Sequence, residues 1–501
     1  MNKLTRASVA MLTATPFVVC AIASGPAVRA ATAYPSGGPD QTPVMGWSSW
    51  SFLRLGADAA QIEGEAQALV SSGLAAAGYR HVNIDDGWYQ CPGAQGPNVD
   101  GYGRWVVNTA SYPDVGSENG IQALAAYVHG LGLKFGIYET AGISSQAVAE
   151  NTPILGTSDT AGEIATTTSE NNYNCGGMVR INYSAPGAQA YVDSVVDELA
   201  SWGVDYIKLD GITNKNGPDV EAWQAAIQQS GRPMVLDATQ GSFTIKLAPL
   251  LKQYSNQWEF APDIEINGPD EGSASGCNSP PYTGCLSVFP LTSYAHWSDR
   301  FAGVANWQPY GGPGGFNDYD SIDVGDGSAA SGLSLAASES QLSLWSLGSS
   351  PLILGVDLTS SVTNAYGTSA ALDPTDLSLL TNAQVIDVDQ DSIDASRIAD
   401  VGAPGSKAGD QVFAKVEPSG DAIVGLFNTT TKLSSGPVTI STTAAAIGLP
   451  PDPHGYLVQD LWGSQSVVVG GTRTFRISSA GLIQAAIPAK GVALYRVIPL
   501  R

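Results

Sequence analysis

The stretch Tyr206-Ile207-Lys208-Leu209-Asp210 decides the fold, because it is a short apolar strand pattern that stops abruptly at a carboxylate. The stretch Asn83-Ile84-Asp85-Asp86 has the same form. Parallel strands of a barrel carry their functional side chains at their carboxyl ends, so an acid in this place favours a site at the mouth of a barrel. Aspartate is also common in helix caps and turns, and either segment alone fits that simpler interpretation equally well. The repetition of the pattern favours the barrel.

Between Pro43 and Ser392 the chain alternates short β-like runs with amphipathic stretches, which is typical of a parallel sheet covered by helices. Helical periodicity is clearest over Ala59–Leu74, Ala188–Trp202 and Glu339–Leu347. Eight units over about 350 residues fit an α/β fold of the (β/α)8 TIM-barrel type. The predicted strands are Val44–Ser49, Tyr79–Ile84, Lys134–Tyr138, Tyr206–Leu209, Met234–Asp237, Gln257–Phe260, Gly303–Trp307 and Leu352–Gly355.

Two insertions interrupt this alternation. The segment Gly142–Asn182 is long and polar and follows the third predicted strand, while Asn267–Phe289 is rich in Gly, Pro and Ser and follows the sixth. Long loops after barrel strands lie on the active face. The sequence leaves open whether these two loops shape the pocket or only cover the surface.

The character of the chain changes after Ile393, where a turn-rich connection leads into short alternating β patterns. This predicts a C-terminal antiparallel β-sandwich. The predicted strands are Gln411–Glu417, Ala422–Asn428, Val438–Thr442, Tyr456–Leu461, Thr472–Ile477 and Val492–Val497. We therefore expect three parts: a signal peptide at 1–30, a catalytic barrel at 31–395 and the sandwich domain at 396–501.

The N-terminus has the pattern of a secretory signal. Lys3 and Arg6 precede a mostly apolar run, and small residues near Ala30 and Ala33 offer cleavage sites. We expect a secreted protein, extracellular or periplasmic. No other stretch is apolar enough to predict a membrane span.

Four cysteines remain after removal of the signal, and an even number in an exported protein predicts disulfides. Cys277 and Cys285 flank a Pro-Pro turn and are expected to pair, which would leave Cys91 to pair with Cys175. There is no Cys-x-x-Cys, and the four histidines are scattered. The sequence therefore predicts no metal site and no organic cofactor.

The overall charge limits the partners. The chain has 501 residues, a formal net charge of −23 and only 14% charged residues. Such a composition excludes a disordered or coiled-coil protein. An acidic surface repels nucleic acid and anionic membranes, so neither is predicted as a partner, whereas a neutral carbohydrate is compatible. The oligomeric state is not predicted.

Six motifs, in order and spacing, resemble glycoside hydrolase family 27, the α-galactosidase and α-N-acetylgalactosaminidase family. The resemblance covers the chain from Pro43 to the C-terminus. The motifs are Met45-Gly46-Trp47-Ser48-Ser49-Trp50, Tyr79-Arg80-His81-Val82-Asn83-Ile84-Asp85-Asp86-Gly87-Trp88, Lys134-Phe135-Gly136-Ile137-Tyr138, Trp202-Gly203-Val204-Asp205-Tyr206-Ile207-Lys208-Leu209-Asp210, Pro313-Gly314-Gly315-Phe316-Asn317-Asp318-Tyr319-Asp320, and Leu344-Trp345-Ser346-Leu347-Gly348-Ser349-Ser350-Pro351-Leu352.

The resemblance implies a retaining α-glycosidase in which Asp210 is the nucleophile and Asp263 the acid/base. A double displacement needs two carboxyl groups of different pKa about 5 Å apart, and strands four and six of a barrel end at the same rim. By the same resemblance, the sugar-binding residues are Trp50, Asp85, Asp86, Tyr138, Lys208, Glu259 and Asp320. Core packing remains the simpler interpretation of Trp50 and Tyr138, and a structural salt bridge that of Lys208.

Two residues and one segment depart from the family pattern. Glu259 stands where the family carries an arginine that helps to hold the C2 side of the sugar. The segment Asp237–Phe243 matches neither of the two family patterns that read the C2 substituent, and Ile212 replaces a cysteine. The resemblance favours a secreted α-galactosidase. The alternatives are a β-L-arabinopyranosidase, an isomaltodextranase-like α-glucan hydrolase, or an inactive carbohydrate-binding protein.

Overall fold

The computed structural model describes residues 41–93, 95–170, 172–265, 289–359, 371–398, 410–431, 436–463 and 473–501, with the backbone only at 240–242. All of them belong to one compact unit that spans 31–501. The strands are β1 Met45–Ser48, β2 His81–Asn83, β3 Lys134–Thr140, β4 Ile143–Ser144, β5 Ala165–Glu170, β6 Met178–Ile181, β7 Tyr206–Thr213, β8 Val235–Ser242, β9 Gln257–Glu259, β10 Phe316–Asp318, β11 Leu352–Leu354, β12 Ser396–Arg397, β13 Asp410–Val416, β14 Ala422–Asn428, β15 Val438–Thr443, β16 Tyr456–Asp460, β17 Thr474–Ile477, β18 Leu482–Ile487 and β19 Val492–Pro499.

Eight of these strands form one parallel sheet in the order β10-β9-β8-β7-β3-β2-β1-β11. The sheet curls until its ends meet beyond β10. There the amide of Ile322 donates to the carbonyl of Ile353 at 2.7 Å, and the amide of Gly355 donates to the carbonyl of Ile322 at 3.0 Å. This confirms the predicted (β/α)8 barrel, and seven of its strands overlap the predicted segments.

The helices lie mainly between the barrel strands and begin and end at recognisable signals. In α7 a positive φ at Gly187 and again at Gly203 bounds the helix, which matches its predicted range. A capping box of Asp58 and Gln61 opens α2. The helices are α1 Trp50–Leu53, α2 Ala59–Ser71, α3 Leu74–Ala77, α4 Gly120–Gly130, α5 Ser145–Glu150, α6 Ala161–Ile164, α7 Ala188–Trp202, α8 Gly217–Ser230, α9 Ala248–Tyr254, α10 Tyr294–Trp297, α11 Arg300–Trp307, α12 Gly327–Ser331, α13 Leu335–Leu347, α14 Pro374–Leu380 and α15 Ala383–Gln390.

The predicted seventh strand, Gly303–Trp307, is wrong. This segment belongs to α11, in which Phe301, Val304 and Trp307 are buried at helical spacing. The seventh barrel strand is β10, which lies inside the motif that runs from Pro313 to Asp320. β10 directly follows the glycine-rich run 311–315, whose composition predicts a loop rather than a strand.

The insertion Gly142–Asn182 forms a small antiparallel sheet in the order β4-β6-β5 beside the barrel. A disulfide between Cys91 and Cys175 ties it to the segment after β2, which confirms that predicted pair. The predicted Cys277–Cys285 pair lies outside the described residues. Within the described part of the chain, no helix is long and apolar enough to cross a membrane.

The C-terminal part forms two antiparallel sheets, β12-β13-β14-β19-β16-β17 and β15-β18, around their own apolar core. This confirms the predicted sandwich. One strand of the sandwich, β18, was not predicted; it buries Ile483, Ala485 and Ile487 on one face. Trp462 is buried and donates to Oγ of Ser343 in α13 at 2.9 Å, so it packs against the barrel.

A buried lysine joins the sandwich to the barrel. Lys415 in β13 is fully buried, and its Nζ donates to the carbonyls of Val388 and Ile393 at 2.6 and 2.9 Å. The same nitrogen lies 2.9 Å from Oδ1 of Asp391. Several acceptors thus compensate a charge that burial would otherwise make unfavourable.

Candidate active site

The fold gathers the predicted site residues at one rim of the barrel, because the carboxyl ends of parallel strands meet there. Trp50 begins α1 just after β1, and Asp85 and Asp86 follow β2. The remaining residues lie in or just after later strands: Tyr138 in β3, Lys208 and Asp210 in β7, Glu259 at the end of β9, Asp263 after β9, and Asp320 after β10.

Three hydrogen bonds orient the carboxylate of Asp210. The hydroxyl of Tyr138 donates to Oδ2 at 2.9 Å, and that of Thr239 donates to Oδ1 at 2.8 Å. The amide of Gly211 donates to Oδ1 at 2.6 Å. Tyr138 is therefore part of the site as well as buried. Thr239 lies in the segment that departs from the family pattern, and no role was predicted for it.

The environment of Asp210 raises its pKa. Burial is the largest cause, and the neighbouring charges of Asp85 and Asp263 act in the same direction. Lys208 and the hydrogen bond from Thr239 oppose the rise. The charge of Asp263 therefore acts on the carboxyl of Asp210.

Lys208 forms an ion pair with Asp85, with 2.7 Å between Nζ and Oδ2. Burial opposes the ammonium charge, but Asp85, Asp210 and Glu259 together raise the pKa of Lys208 well above its usual value. Lys208 therefore forms a salt bridge, as its simpler interpretation required, and both partners of this salt bridge line the pocket.

Asp263 is exposed at the mouth of the site. Nε1 of Trp50 lies 3.4 Å from its Oδ2. Arg54 stacks over the indole of Trp50, with its guanidinium carbon 5.0 Å from the ring centroid. Trp50 is only partly buried, so it offers an accessible aromatic edge beside Asp263.

Glu259, Asp263 and Asp320 form an acidic cluster in which one carboxylate oxygen of each lies within 4.8 Å of the others. Glu259 is buried, and among the described residues no group hydrogen-bonds its Oε1. Burial and the charges of Asp320 and Asp263 raise its pKa well above the usual value. The three carboxyls could hold a cation, but burial and neighbouring charges raise the pKa of Glu259 and Asp320, so bound protons can equally neutralise these two groups.

Arg300 stands beside this cluster and supplies a cation near the position where the family arginine is missing. Its side chain is 1% exposed, and its Nη2 lies 3.6 Å from Oδ2 of Asp320. Nη2 also donates to the carbonyl of Pro262, next to Asp263. Arg300 lies outside the six motifs and outside the predicted strands, so no role was predicted for it.

Asp320 is held in an unusual backbone conformation, with φ at 77°. Its Oδ2 accepts from the amide of Ile264 at 2.7 Å, so it contacts the segment that carries Asp263. The carbonyl of Asp320 accepts from Nε1 of Trp345 at 2.8 Å. A left-handed non-glycine residue kept in place by such contacts is typical of a functional site.

A polar pocket continues from this rim into the barrel, with about 440 Å³ of empty space that includes open solvent. Asp85, Lys208, Thr239, Glu259 and Asp320 line it together with Asp237 and Asp318. Burial raises the pKa of Asp237 to about 6 and that of Asp318 to about 8. A cavity lined by so many hydrogen-bonding groups suits a polyhydroxylated ligand.

A (β/α)8 barrel that carries two aspartates at one rim, beside a pocket lined by hydrogen-bonding groups, has the architecture of a glycoside hydrolase. The α-galactosidase A family model matches residues 42–152 and 292–391, and the model of the α-galactosidase C-terminal β-sandwich domain matches residues 407–497. The chain belongs to the α-galactosidase family, glycoside hydrolase family 27.

The relatives cover most of the chain. An α-galactosidase of Cyamopsis tetragonoloba is 30% identical over 86% of this chain and 83% of its own length. One of Coffea arabica is 29% identical over 91% and 94%. A family 27 β-L-arabinopyranosidase of Geobacillus stearothermophilus has a similar structure, with a TM-score of 0.74, 25% identity, and coverage of 92% of this chain and 97% of that one.

Proposed function

We propose that this protein hydrolyses terminal α-linked galactose with retention of configuration, with Asp210 as nucleophile and Asp263 as acid/base. The observation that carries the proposal is the orientation of Asp210, whose two carboxylate oxygens accept three hydrogen bonds beside a cationic Lys208. Such a carboxylate is fixed for attack along one direction.

In the first step, an oxygen of Asp210 attacks the anomeric carbon as the glycosidic bond breaks. Asp263, which must be protonated, gives its proton to the leaving oxygen. The products are a β-linked glycosyl ester on Asp210 and a free alcohol. The exposed position of Asp263 allows a leaving group of variable size to depart into solvent.

In the second step, Asp263 takes a proton from water as the water oxygen attacks the same anomeric carbon. The ester bond to Asp210 breaks, and its carboxylate is restored. Two inversions give a product with the original α configuration. Tyr138 and Thr239 stabilise the returning negative charge, since both donate to this carboxylate.

Asp85 and Asp86 are the proposed acceptors for hydroxyls at C4 and C6 of the sugar. Glu259 and Asp320 lie on the opposite wall and face the C2 side in this proposal. β-L-Arabinopyranose has the same ring configuration as α-D-galactose but no hydroxymethyl group at C5. Because this chain is similar to the Geobacillus β-L-arabinopyranosidase, a β-L-arabinopyranoside is the second candidate substrate.

A panel of an aryl α-galactoside, an aryl β-L-arabinopyranoside and dextran tests the proposal. We expect the galactoside to give the highest kcat/KM and proton NMR to show the α anomer as the first product. Asp210→Asn should abolish turnover, whereas the exposed Asp114→Asn should not. A first product of β configuration, or an active Asp210→Asn enzyme, would contradict the proposal.

The proposal extends to export and domain organisation. Residues 1–30 form a cleaved signal, 31–395 the catalytic barrel and 396–501 a supporting domain. The Cys91–Cys175 disulfide supports an oxidising compartment. Mass spectrometry of the mature protein, expressed with its leader, would give the cleavage position expected between Ala30 and Ala33.

A further inference from the structure

The two carboxylate oxygens of Asp86 have different surroundings. Oδ1 accepts from the hydroxyl of Tyr89 at 2.6 Å and from the amide of Gly87 at 2.7 Å. Oδ2 is buried, and no group among the described residues hydrogen-bonds it. One oxygen is thus fixed by the protein, while the other keeps its capacity to accept a hydrogen bond.

Tyr89 is held rigidly in the position from which it contacts Asp86. Its side chain is fully buried. The ring lies against Trp105, with 4.2 Å between ring centroids, and meets Trp88 edge-on at 5.6 Å. The family motif ends at Trp88, so Tyr89 lies outside the residues that carry the resemblance.

The hydroxyl of Tyr89 also meets a residue of the insertion. Nδ2 and Oδ1 of Asn172 lie 2.9 and 3.0 Å from the Tyr89 oxygen. Oδ1 of Asn172 accepts in addition from the amide of Cys175 at 2.7 Å. Asn172 is buried, so this contact is shielded from solvent.

The Cys91–Cys175 disulfide covalently joins the same two segments that these hydrogen bonds connect. Cys91 lies two residues after Tyr89, and Cys175 lies three residues after Asn172. The bond between them joins segments 84 residues apart at the point where the hydrogen bonds cross. A covalent crosslink at this place restricts the relative motion of the two segments.

We propose that Tyr89 and Asn172 are positioning residues that hold Asp86 for sugar recognition, and that the Cys91–Cys175 disulfide fixes the pair against the barrel. This inference rests on the proposed function, because it takes Asp86 as a sugar ligand. The insertion thereby acts in substrate recognition from behind the pocket wall.

The protonation of Asp86 makes this role measurable. Burial raises its pKa to about 7, the charges of Asp85 and Asp210 add to the rise, and the hydrogen bond from Tyr89 lowers it. The charge of Asp86 also acts on the buried Tyr138, whose pKa burial raises well above its usual value, so Tyr138 stays neutral. Loss of the Tyr89 hydroxyl should therefore raise the pKa of Asp86 further, so that a larger fraction is protonated in mildly acidic solution.

The test is the pH dependence of kcat and KM for Tyr89→Phe, with the aryl glycoside that the wild type hydrolyses best. At pH 6 we expect KM to rise about tenfold with kcat nearly unchanged, and the acid limb of kcat/KM to move up by about one pH unit. Asn172→Ala should shift both in the same direction by less. Tyr79→Phe is the matched control, since its buried hydroxyl donates to the carbonyl of Leu380 away from the site.

A second arm removes the disulfide. We expect Cys91→Ala combined with Cys175→Ala to raise KM in the same way, with kcat retained. Wild-type KM and an unmoved acid limb in Tyr89→Phe would overturn the inference, as would equal effects in Tyr79→Phe. Failure of the proposed function would be seen separately, as absence of turnover by the wild type. If the wild type shows no turnover, the galactose affinities of the wild type and the variants are compared by calorimetry instead. Absence of galactose binding by the wild type would overturn both the proposed function and this inference.

Discussion

The indole nitrogen of Trp50 lies 3.4 Å from Oδ2 of Asp263, so the start of α1 orients a carboxyl that belongs to the connection after β9. The contact crosses the barrel mouth from the first strand to the sixth. It places the proposed proton donor at the exposed edge of the pocket, where an aglycone would leave.

Replacing the proton donor should affect substrates according to their leaving group. For Asp263→Asn we expect kcat/KM on an alkyl or oligosaccharide α-galactoside to fall by about 10²- to 10⁴-fold, because these alcohols must be protonated as they leave. A 2,4-dinitrophenyl galactoside needs no such help and should lose much less in its glycosylation step. Pre-steady-state kinetics on both substrates checks this, and equal losses would argue against the role of Asp263.

The hydroxyl of Thr239 should set part of the acid limb of activity. It donates to Asp210 and so favours the ionised form that attacks. Thr239→Val should raise the pKa of Asp210 and move the acid limb of kcat/KM upward by about one unit. Thr381→Val is the control, since its hydroxyl donates to the carbonyl of Leu377 within α14 and its loop. An unmoved limb in Thr239→Val would contradict the expected effect on Asp210.

Arg300 should matter for both stability and activity. Its removal leaves the Asp320 carboxylate and the Pro262 carbonyl without their buried cationic donor. We expect Arg300→Met to lower the free energy of unfolding by about 3–5 kcal/mol and to reduce kcat, because Asp263 is adjacent.

Arg300→Lys should fall between the wild type and Arg300→Met, since it keeps the charge but loses the planar fork. Urea denaturation measures the change in unfolding free energy, and the exposed Arg476→Met should shift it by less than about 0.5 kcal/mol. If Arg300→Met changes neither the free energy of unfolding nor kcat, Arg300 has no role at this site.

Stability should decrease as pH rises through the neutral range. Burial raises the pKa of Asp86 and Asp394 to about 7 and that of Asp318 to about 8. The folded protein therefore binds more protons than the unfolded chain between about pH 4 and 8, so the unfolding free energy falls across this window.

Thermal unfolding from pH 4.5 to 8.5 tests this dependence. Tm should be highest at the acidic end, and Asp318→Asn should flatten the decline because it removes one of the groups. A Tm that climbs with pH over the same window would show that these carboxyls are ionised in the folded state without cost.

The sequence predicts the barrel well because its strands are short apolar runs that end in acids, as in Tyr206–Asp210. It fails at β10, which follows the glycine-rich run 311–315 that predicts a loop, and it takes Gly303–Trp307 for a strand although its buried positions follow a helix. The family motifs predicted which acids meet at the rim, whereas the assignment of nucleophile and acid/base remains a prediction.

What the sequence could not reveal are contacts that the fold creates between distant segments. Arg300 reaches Asp320 from a helix outside every motif. Asn172 meets Tyr89 across 83 positions of chain, from an insertion with no recognisable pattern. Such pairs have no local signal, because only the tertiary structure brings their atoms together.

The buried ammonium of Lys415 bears on how the gene could be shortened or recombined. A fragment that stops before β13 would expose the apolar surface under α13 and α15. It would also leave the carbonyls of Val388 and Ile393 and the carboxylate of Asp391 without the ammonium group that they bind. A chimera in which another C-terminal domain replaces the sandwich would need a basic side chain at the position of Lys415. Engineers seeking a minimal enzyme should therefore trim loops and retain the tail.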